Sequence, residues 1–204
     1  MEFFGNLVHQ IVLLAIDPRS GRVRARSNVE LAAVGAALAE LAMQERIALV
    51  GKKVHLFDPR PVDDPLLDAL LRVLSTHADR RPVRIIQAGG RFYLDQSLGD
   101  LLRAGWLLQT TPGGPLGPRY QVMNVPPLTS ARDLASAAIH DPERVSPRAA
   151  CLGGLALEVG FGKKLAPEVG WRRRYRAQRV LWKRDWAVKA VRDIIASQQA
   201  AAAS

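Results

Sequence analysis

The clearest pattern of apolar and polar positions lies between Leu31 and Leu56. Its first half repeats apolar residues at intervals of three and four, the spacing of one helix face, at Leu31, Val34, Leu38 and Leu41. Alanine and glycine fill most of the other positions, so this helix is thin and its neighbours can pack closely. From Ile47 the apolar residues alternate around a Gly-Lys-Lys turn, the pattern of a hairpin. The stretch therefore predicts a central helix followed by a β-hairpin.

Two local signals precede this helix. Ser27 and Glu30 have the spacing of a capping box, which predicts that the helix begins there. Just before it, Arg22, Arg24 and Arg26 alternate with small residues. On an extended backbone these three guanidinium groups would point the same way.

The other apolar patterns predict mostly helices. The predicted helical segments are 7–17, 64–77, 81–87, 91–105, 129–141, 146–160 and 171–197, with a strand as the alternative for 7–17. Gly89-Gly90 is interpreted as a break between two of them, because glycine weakens a helix interior. A second hairpin is predicted at 107–122, with a glycine- and proline-rich tip, so a helix followed by a hairpin occurs twice.

These elements predict a mainly α fold. We expect a single-domain helical bundle over residues 1–204, with surrounding amphipathic helices and one or two short β-hairpins. The alanine-rich end, 198–204, is expected to be a frayed tail.

The chain carries a net charge of +10, and most of this charge lies in one segment near the C-terminal end. Residues 163–192 hold eleven cations and two acids, interleaved with aromatic rings. Arginine beside tryptophan or tyrosine suits a partly hydrated lipid headgroup layer, and it also suits the stacking of nucleic-acid bases on aromatic rings. The candidate basic-aromatic surface consists of Trp171, Arg172, Arg173, Arg174 and Arg176. The alternative is that the tryptophans pack on the bundle and the arginines are merely solvated.

No catalytic, metal or cofactor signature is present in the sequence. Nucleophile elbows, zinc-protease motifs, phosphate loops and dinucleotide fingerprints are all missing. The lone cysteine, Cys151, lies among small apolar residues and is interpreted as a buried thiol. His9, His55, His77 and His140 are scattered, and are interpreted as surface or core residues rather than ligands. We therefore expect a protein that is not an enzyme and has no cofactor.

The same sequence favours a cytoplasmic location, with peripheral contact to a membrane as an option. The longest apolar run near the N-terminus, 11–16, has six residues, whereas a membrane span needs about 20. No basic segment precedes this run and no cleavage pattern follows it, so we expect no signal peptide.

Several segments, taken in order, resemble the Golgi phosphoprotein 3 family, and the ending resembles its bacterial members. They are LVHQIVLLAID (7–17), AAVGAALAELAMQERIAL (32–49), DDPLLDALLRVL (63–74), LGDLLRAGWL (98–107), HDPERVSPRAACLGGLAL (140–157) and RDWAVKAVRDIIASQQA (184–200). The resemblance covers about 7–199. It implies a helical core wrapped by amphipathic helices, with an exposed hairpin.

The resemblance also implies a function. Eukaryotic members bind phosphatidylinositol 4-phosphate in a basic pocket, sit peripherally on the Golgi and link glycosyltransferase tails to a coat. Their hairpin is implicated in membrane contact and self-association, which would assign those roles to 107–122 here. By an ungapped reading the four pocket positions correspond to Ala25, Val34, Arg91 and Leu94, of which Arg91 matches. Arg22, Arg24 and Arg26 could supply charge to the same region, so the candidate headgroup-binding set is Arg91, Arg22, Arg24 and Arg26.

The leading hypothesis is a non-catalytic peripheral membrane or adaptor protein that binds anionic, phosphoinositide-like headgroups through a basic surface. Its partners would be an anionic membrane surface or phospholipid headgroup, together with protein partners. One alternative is nucleic-acid binding through winged-helix-like units, although the recognition helix GDLLRAGWL (99–107) would carry little charge, which disfavours nucleic acid as a partner. The other is a small-molecule binder or enzyme without a recognisable motif.

Overall fold

The computed structural model describes residues 5–76, 81–111 and 117–203. Its described helices are α1 (Leu7–Ala15), α2 (Arg26–Met43), α3 (Pro65–Thr76), α4 (Pro82–Arg103), α5 (Val125–His140), α6 (Pro147–Glu158), α7 (Gly162–Leu165), α8 (Trp171–Arg184) and α9 (Trp186–Ala202). Its described strands are β1 (Ile47–Val50), β2 (Lys53–Leu56), β3 (Leu107–Thr111) and β4 (Arg119–Val122). The prediction of a mainly α, single-domain fold with two short hairpins is confirmed.

Helix α2 is the centre of the bundle. Every residue from Leu31 to Leu41 is buried, and α2 packs against α1, α4, α6 and α9. The predicted apolar stripe was therefore too narrow, because the alanines between the leucines are also covered. A helix that is apolar on all sides is typical of a core position.

The predicted start of α2 is wrong. The helix begins at Arg26, after Ala25 adopts a left-handed conformation with φ of 45°. Ser27 therefore lies inside the first turn and does not cap the helix. Glu30 instead pairs with Arg26 one turn earlier, at 3.3 Å between Oε1 and Nε.

The predicted break at Gly89-Gly90 is also wrong, since α4 runs through both glycines. A Cβ atom on Gly90 would lie 3.2 Å from the main-chain carbonyl carbon of Glu30. These glycines let α4 cross α2 at close range. Their role is packing, and the tertiary contact outweighs their low helix propensity.

The predicted helix over 171–197 is two helices. Asp185 has extended angles, φ −133° and ψ 119°, between α8 and α9. Its carboxylate accepts hydrogen bonds from the main-chain N–H groups of Ala187 (2.7 Å) and Val188 (3.2 Å). Aspartate competes with helical hydrogen bonding in this way and favours caps. Helix α9 then continues to Ala202.

Both predicted hairpins are confirmed. In the first, Ile47 is paired with Leu56, and in the second Leu107 is paired with Val122. The tip of the second hairpin, 112–116, lies outside the described residues. The second hairpin is tied to the loop before α2, because Tyr120 N–H donates to the carbonyl of Gly21 at 2.7 Å.

A buried carboxylate links three helices. Glu40 in α2 accepts a hydrogen bond from Leu7 N–H, at the start of α1, at 2.9 Å. Both of its oxygens also accept from Arg148 of α6, at 2.9 Å. Arg148 donates further to the carbonyl of Gly5 at 3.2 Å. The network satisfies an otherwise orphaned helix N-terminal amide and compensates the buried charge.

We expect Glu40→Ala to lower the free energy of unfolding by about 3–5 kcal/mol, because it leaves Arg148 half-buried without its partner. Urea denaturation measures this. The matched control is Glu143→Ala, which removes an exposed carboxylate. A Glu40→Ala loss no larger than that of the control would contradict the role of the network.

We expect Gly35→Ala to destabilise the fold by about 1–3 kcal/mol, since a core substitution that overpacks costs this much. Its Cβ would lie 2.6 Å from Cγ2 of Val191 in α9. A helical valine has one strongly preferred rotamer and cannot swing away. The control is Gly99→Ala in α4, where the nearest atom is the mobile end of Arg103, and a gain of about 0.5–1 kcal/mol is expected. Thermal unfolding that shows the same shift for both variants would contradict this packing.

Candidate functional site

The outer face of α8 carries the highest density of charge in the chain. The helix holds seven cations and no acid. Its fully buried residues are Ala177 and Leu181, which pack against a small core formed with α5 and α6. Most of the helix surface is therefore left to solvent.

Two of the seven cations have structural roles. Arg174 donates to the carbonyls of Ala166 (3.3 Å) and Val169 (2.5 Å), and so holds the loop before α8. Arg184 donates to the carbonyls of Pro142 and Val145, and so ties the end of α8 to the loop after α5. Sequence density alone could not separate these two from the rest.

The other five cations form the surface that we call the α8 basic face. Its members are Arg172, Arg173, Arg176, Arg179 and Lys183. Within the described part of the chain, none of them has a carboxylate within ion-pair distance.

Acids are nevertheless close to one edge of this face. Arg173 and Arg176 line a groove of about 230 Å³ that Asp141 and Glu143 also line. The positive field is therefore weaker at this edge than around the other members of the face.

The four aromatic residues within the basic segment 163–192 divide into two pairs. Trp171 is 68% exposed and Tyr175 is 60% exposed, both on the outside of α8. Trp182 and Trp186 are half-buried and pack on the core. The guanidinium of Arg192 lies over the Trp182 ring, 3.2 Å from its centroid, whereas Arg172 lies 5.3 Å from the Trp171 centroid. Two of the rings therefore pack on the bundle, as the alternative interpretation expected, and the other two are exposed on α8.

The predicted headgroup set is spread over two neighbouring places. Arg26 and Arg91 both pair with Asp95, and Arg26 also pairs with Glu30. Two cations and two acids therefore meet there, so the cluster is nearly neutral.

Arg22 and Arg24 lie in the preceding loop. Arg24 pairs with Asp17 at 3.2 Å, and the half-buried Arg22 has no hydrogen bond at Nε. The prediction that Arg22, Arg24 and Arg26 share one extended segment is wrong, because Arg26 is already helical.

The positions aligned with the family pocket have different surroundings. Val34 and Leu94 are fully buried in the core, and Ala25 is exposed at the left-handed junction before α2. Arg91 is exposed on α4. Two buried apolar side chains thus stand where the family pocket would place arginines.

A basic groove that sequence reasoning missed lies between the loop after α1, the β3–β4 hairpin and α5. Its volume is about 460 Å³, and Arg19, Arg119 and Arg132 line it. Lys164 is close by, and its pKa is lowered by burial and by the positive charges of Arg24 and Arg132. These cations come from distant parts of the chain, so no local pattern could reveal them. We call this the hairpin groove.

A second missed feature is Glu158, at the end of α6. It is 9% exposed and lines a cavity of about 370 Å³ between α6, α8 and α9. Burial raises its pKa to about 7, although Gln178 and Arg192 favour the charged form. The sequence feature that could have revealed this site is a glutamate at the end of an otherwise apolar helix.

The described cysteine and histidine residues do not converge. Cys151 is buried as predicted, and burial raises its pKa. His9 lies 3.7 Å from Asp100 and His140 lies 2.6 Å from Glu168, on separate elements. His77 lies outside the described residues. Among the described side chains, no group of three or more could hold a metal ion.

The fold and the site define the class of this protein. It is a mainly α, single-domain bundle with two exposed hairpins and a basic outer helix, and no described helix is long and apolar enough to cross a bilayer. The chain belongs to the Golgi phosphoprotein 3 family, because the family model described as Golgi phosphoprotein 3 (GPP34) matches residues 7–198. No curated protein matches the chain.

Glu158 should make stability depend on pH. Its folded pKa of about 7 exceeds the ordinary 4.5, so the folded state holds a proton that the unfolded state releases. Stability should therefore fall as pH rises from about 4.5 to 7. We expect Glu158→Gln to gain stability over the original chain by on the order of 1–3 kcal/mol between pH 4.5 and pH 8. Denaturant titration at several pH values measures the difference. The control is Glu143→Gln, which changes an exposed carboxylate. A stability difference between Glu158→Gln and the original chain that does not vary with pH would contradict the prediction.

Proposed function

We propose that this protein is a non-catalytic peripheral membrane or adaptor protein that binds anionic headgroups. The observation that carries the proposal is the α8 basic face with exposed Trp171 and Tyr175 beside it. Family membership is consistent with this function at the level of a lipid-binding adaptor. The location proposed is cytoplasmic, at a membrane surface.

The charges on α8 are sufficient for reversible attachment. A lysine or arginine near an anionic membrane contributes about 1 kcal/mol, so five cations give a useful but salt-sensitive affinity. Exposed tryptophan and tyrosine rings add an apolar body with a polar edge, which suits the headgroup layer. Because Arg174 and Arg184 are held by main-chain carbonyls, α8 is fixed in place before any ligand arrives.

The hairpin groove offers a place for an individual headgroup phosphate. Three arginines that line one groove can donate to one anion from different directions. This is the part of the proposal that concerns phosphoinositide-like headgroups. The nearly neutral cluster of Arg26 and Arg91 is less suited, since Asp95 already occupies both cations.

Protein partners and self-association through the 107–122 hairpin remain part of the proposal. Leu108 on β3 and Met123 just after β4 are about half exposed, and Val125 at the start of α5 is 58% exposed. Apolar side chains of this size at a hairpin base suit contact with a second apolar surface.

Nucleic-acid binding would require a different surface from that of a winged helix. In both helix–hairpin units the helix packs against the core, and α2 in particular is buried on all sides. It could not enter a DNA groove, so a nucleic acid would have to bind the α8 basic face. A salt-dependent gel shift distinguishes this outcome from lipid binding.

We expect the triple variant Arg173→Gln, Arg176→Gln, Arg179→Gln to bind anionic vesicles at least about tenfold more weakly than the original chain, from the loss of three membrane-facing charges. The assay is co-sedimentation at low salt with vesicles rich in phosphatidylserine, compared with phosphatidylcholine alone.

The control for this assay is Lys52→Gln, Arg72→Gln, Arg84→Gln, which removes the same charge from the β1–β2 hairpin, α3 and α4. Equal losses for the two triple variants would show that only net charge matters. Equal binding to anionic and neutral vesicles would contradict headgroup recognition altogether.

A further inference from the structure

Two residues that line the cavity between α6, α8 and α9 each carry a buried polar atom with no hydrogen-bond partner. One is the carboxylate oxygen Oε1 of Glu158, and the other is the indole nitrogen Nε1 of Trp182. Both residues line the same cavity of about 370 Å³. Buried polar groups are nearly always satisfied, and an unpaired one costs about 1–3 kcal/mol. Two in one cavity therefore point to a missing partner.

The chemistry of the two atoms restricts that partner. Trp182 Nε1 is a donor only, whereas the Glu158 carboxyl accepts when it is ionised and can also donate when it is protonated. An ammonium group would satisfy the carboxylate but could not accept from the indole, and Arg179 and Arg192 in the same lining would repel it. A hydroxyl group accepts and donates at once, so it can satisfy both atoms.

The rest of the lining fits a hydroxylated molecule that also carries a negative charge. Tyr175, Gln178 and Gln199 add hydroxyl and amide groups that exchange hydrogen bonds with further hydroxyls. Arg192 is occupied by the Trp182 ring and by Asp193. Arg179 is exposed and has no carboxylate partner among the described residues, so it is the cation available to an anion.

We propose that this cavity binds a hydroxyl-bearing phosphate ester, with one hydroxyl between Trp182 and Glu158 and the phosphate at Arg179. The ester can be free in solution or can be the headgroup of a lipid. Because the cavity lies beside the α8 basic face, a membrane lipid could supply the ester. Only this lipid source depends on the proposed membrane function; binding of a free ester does not. The cavity volume lies within the about 300–1,000 Å³ range of small-molecule sites.

The test uses the indole N–H signals of the full chain in two-dimensional ¹H–¹⁵N NMR. The chain has four tryptophans, and the Trp182 signal is assigned by its loss in Trp182→Phe. Glycerol 3-phosphate should shift this signal saturably. Propyl phosphate, which has a phosphate but no hydroxyl, should bind at least about tenfold more weakly, because the buried pair then stays unsatisfied.

Two arginine variants test the phosphate position. Arg179→Gln should weaken glycerol 3-phosphate binding by about tenfold, since it removes a charge-assisted hydrogen bond. The control is Arg144→Gln, an exposed arginine after α5 that lies outside both the cavity lining and the α8 basic face, and it should bind like the original chain. Both positions are exposed, so the fold should tolerate both changes.

Vesicles distinguish the source of the ester. Phosphatidylglycerol and phosphatidylmethanol both carry one negative charge, but only the first has headgroup hydroxyls. Tighter binding to phosphatidylglycerol supports a lipid-borne ester. Equal binding to both, with glycerol 3-phosphate still preferred over propyl phosphate, supports a free ester. Binding of glycerol 3-phosphate without binding to either vesicle supports the cavity while overturning the proposed membrane function.

Three results would overturn the cavity proposal. One is no shift of the Trp182 signal with glycerol 3-phosphate, in which case water fills the cavity. The second is an equal response to propyl phosphate, and the third is an unchanged affinity in Arg179→Gln.

Discussion

The carboxylate of Glu40 is the one buried charge on which the arrangement of α1, α2 and α6 depends. It accepts from the first amide of α1 and from Arg148 of α6, while its own helix is surrounded by apolar contacts. A carboxylate in that position is stable only when both partners are present. The network therefore selects one relative placement of three helices, which alanine-rich surfaces alone would specify poorly.

This central packing also explains why the charge lies where it does. Helix α2 is covered on all sides, and glycines on α2 and α4 bring neighbouring backbones to within contact of each other. Such a tight core has no room for arginine, so the cations lie at helix ends, on exposed helix faces and in loops and hairpins. Helix α8 buries little of itself and carries seven of them. The site follows from the fold because α8 packs on the outside of the bundle, and one of its sides has no neighbour among the described residues.

Much of this fold could be predicted from the sequence, because its signals are local. Apolar spacing revealed α2, and alternation around turns revealed both hairpins. The errors share one cause. In each case the tertiary structure overrides a local signal. The pair Gly89-Gly90 allows two helices to cross closely and does not break α4. Ser27 lies inside α2 and does not cap it, whereas Asp185 caps α9 and does not lie inside a helix.

The functional surface was only partly visible for the same reason. Charge density along the chain identified α8, but it could not show that Arg174 and Arg184 are held by carbonyls or that Trp182 and Trp186 pack inward. The hairpin groove and the Glu158 cavity combine residues that are far apart in sequence. Resemblance to the family predicted that Arg91 binds a headgroup, but in the structure Arg91 is already paired with Asp95.

The central claim is that the outside of α8 faces the membrane. Fluorescence quenching by brominated anionic lipids tests it directly, because bromine quenches only tryptophans near the bilayer. The account predicts quenching in the original chain, where Trp171 is exposed, and loss of most of that quenching in Trp171→Phe. Unchanged quenching in Trp171→Phe would show that another surface, such as the one around Trp106, meets the lipid, and would contradict the claim.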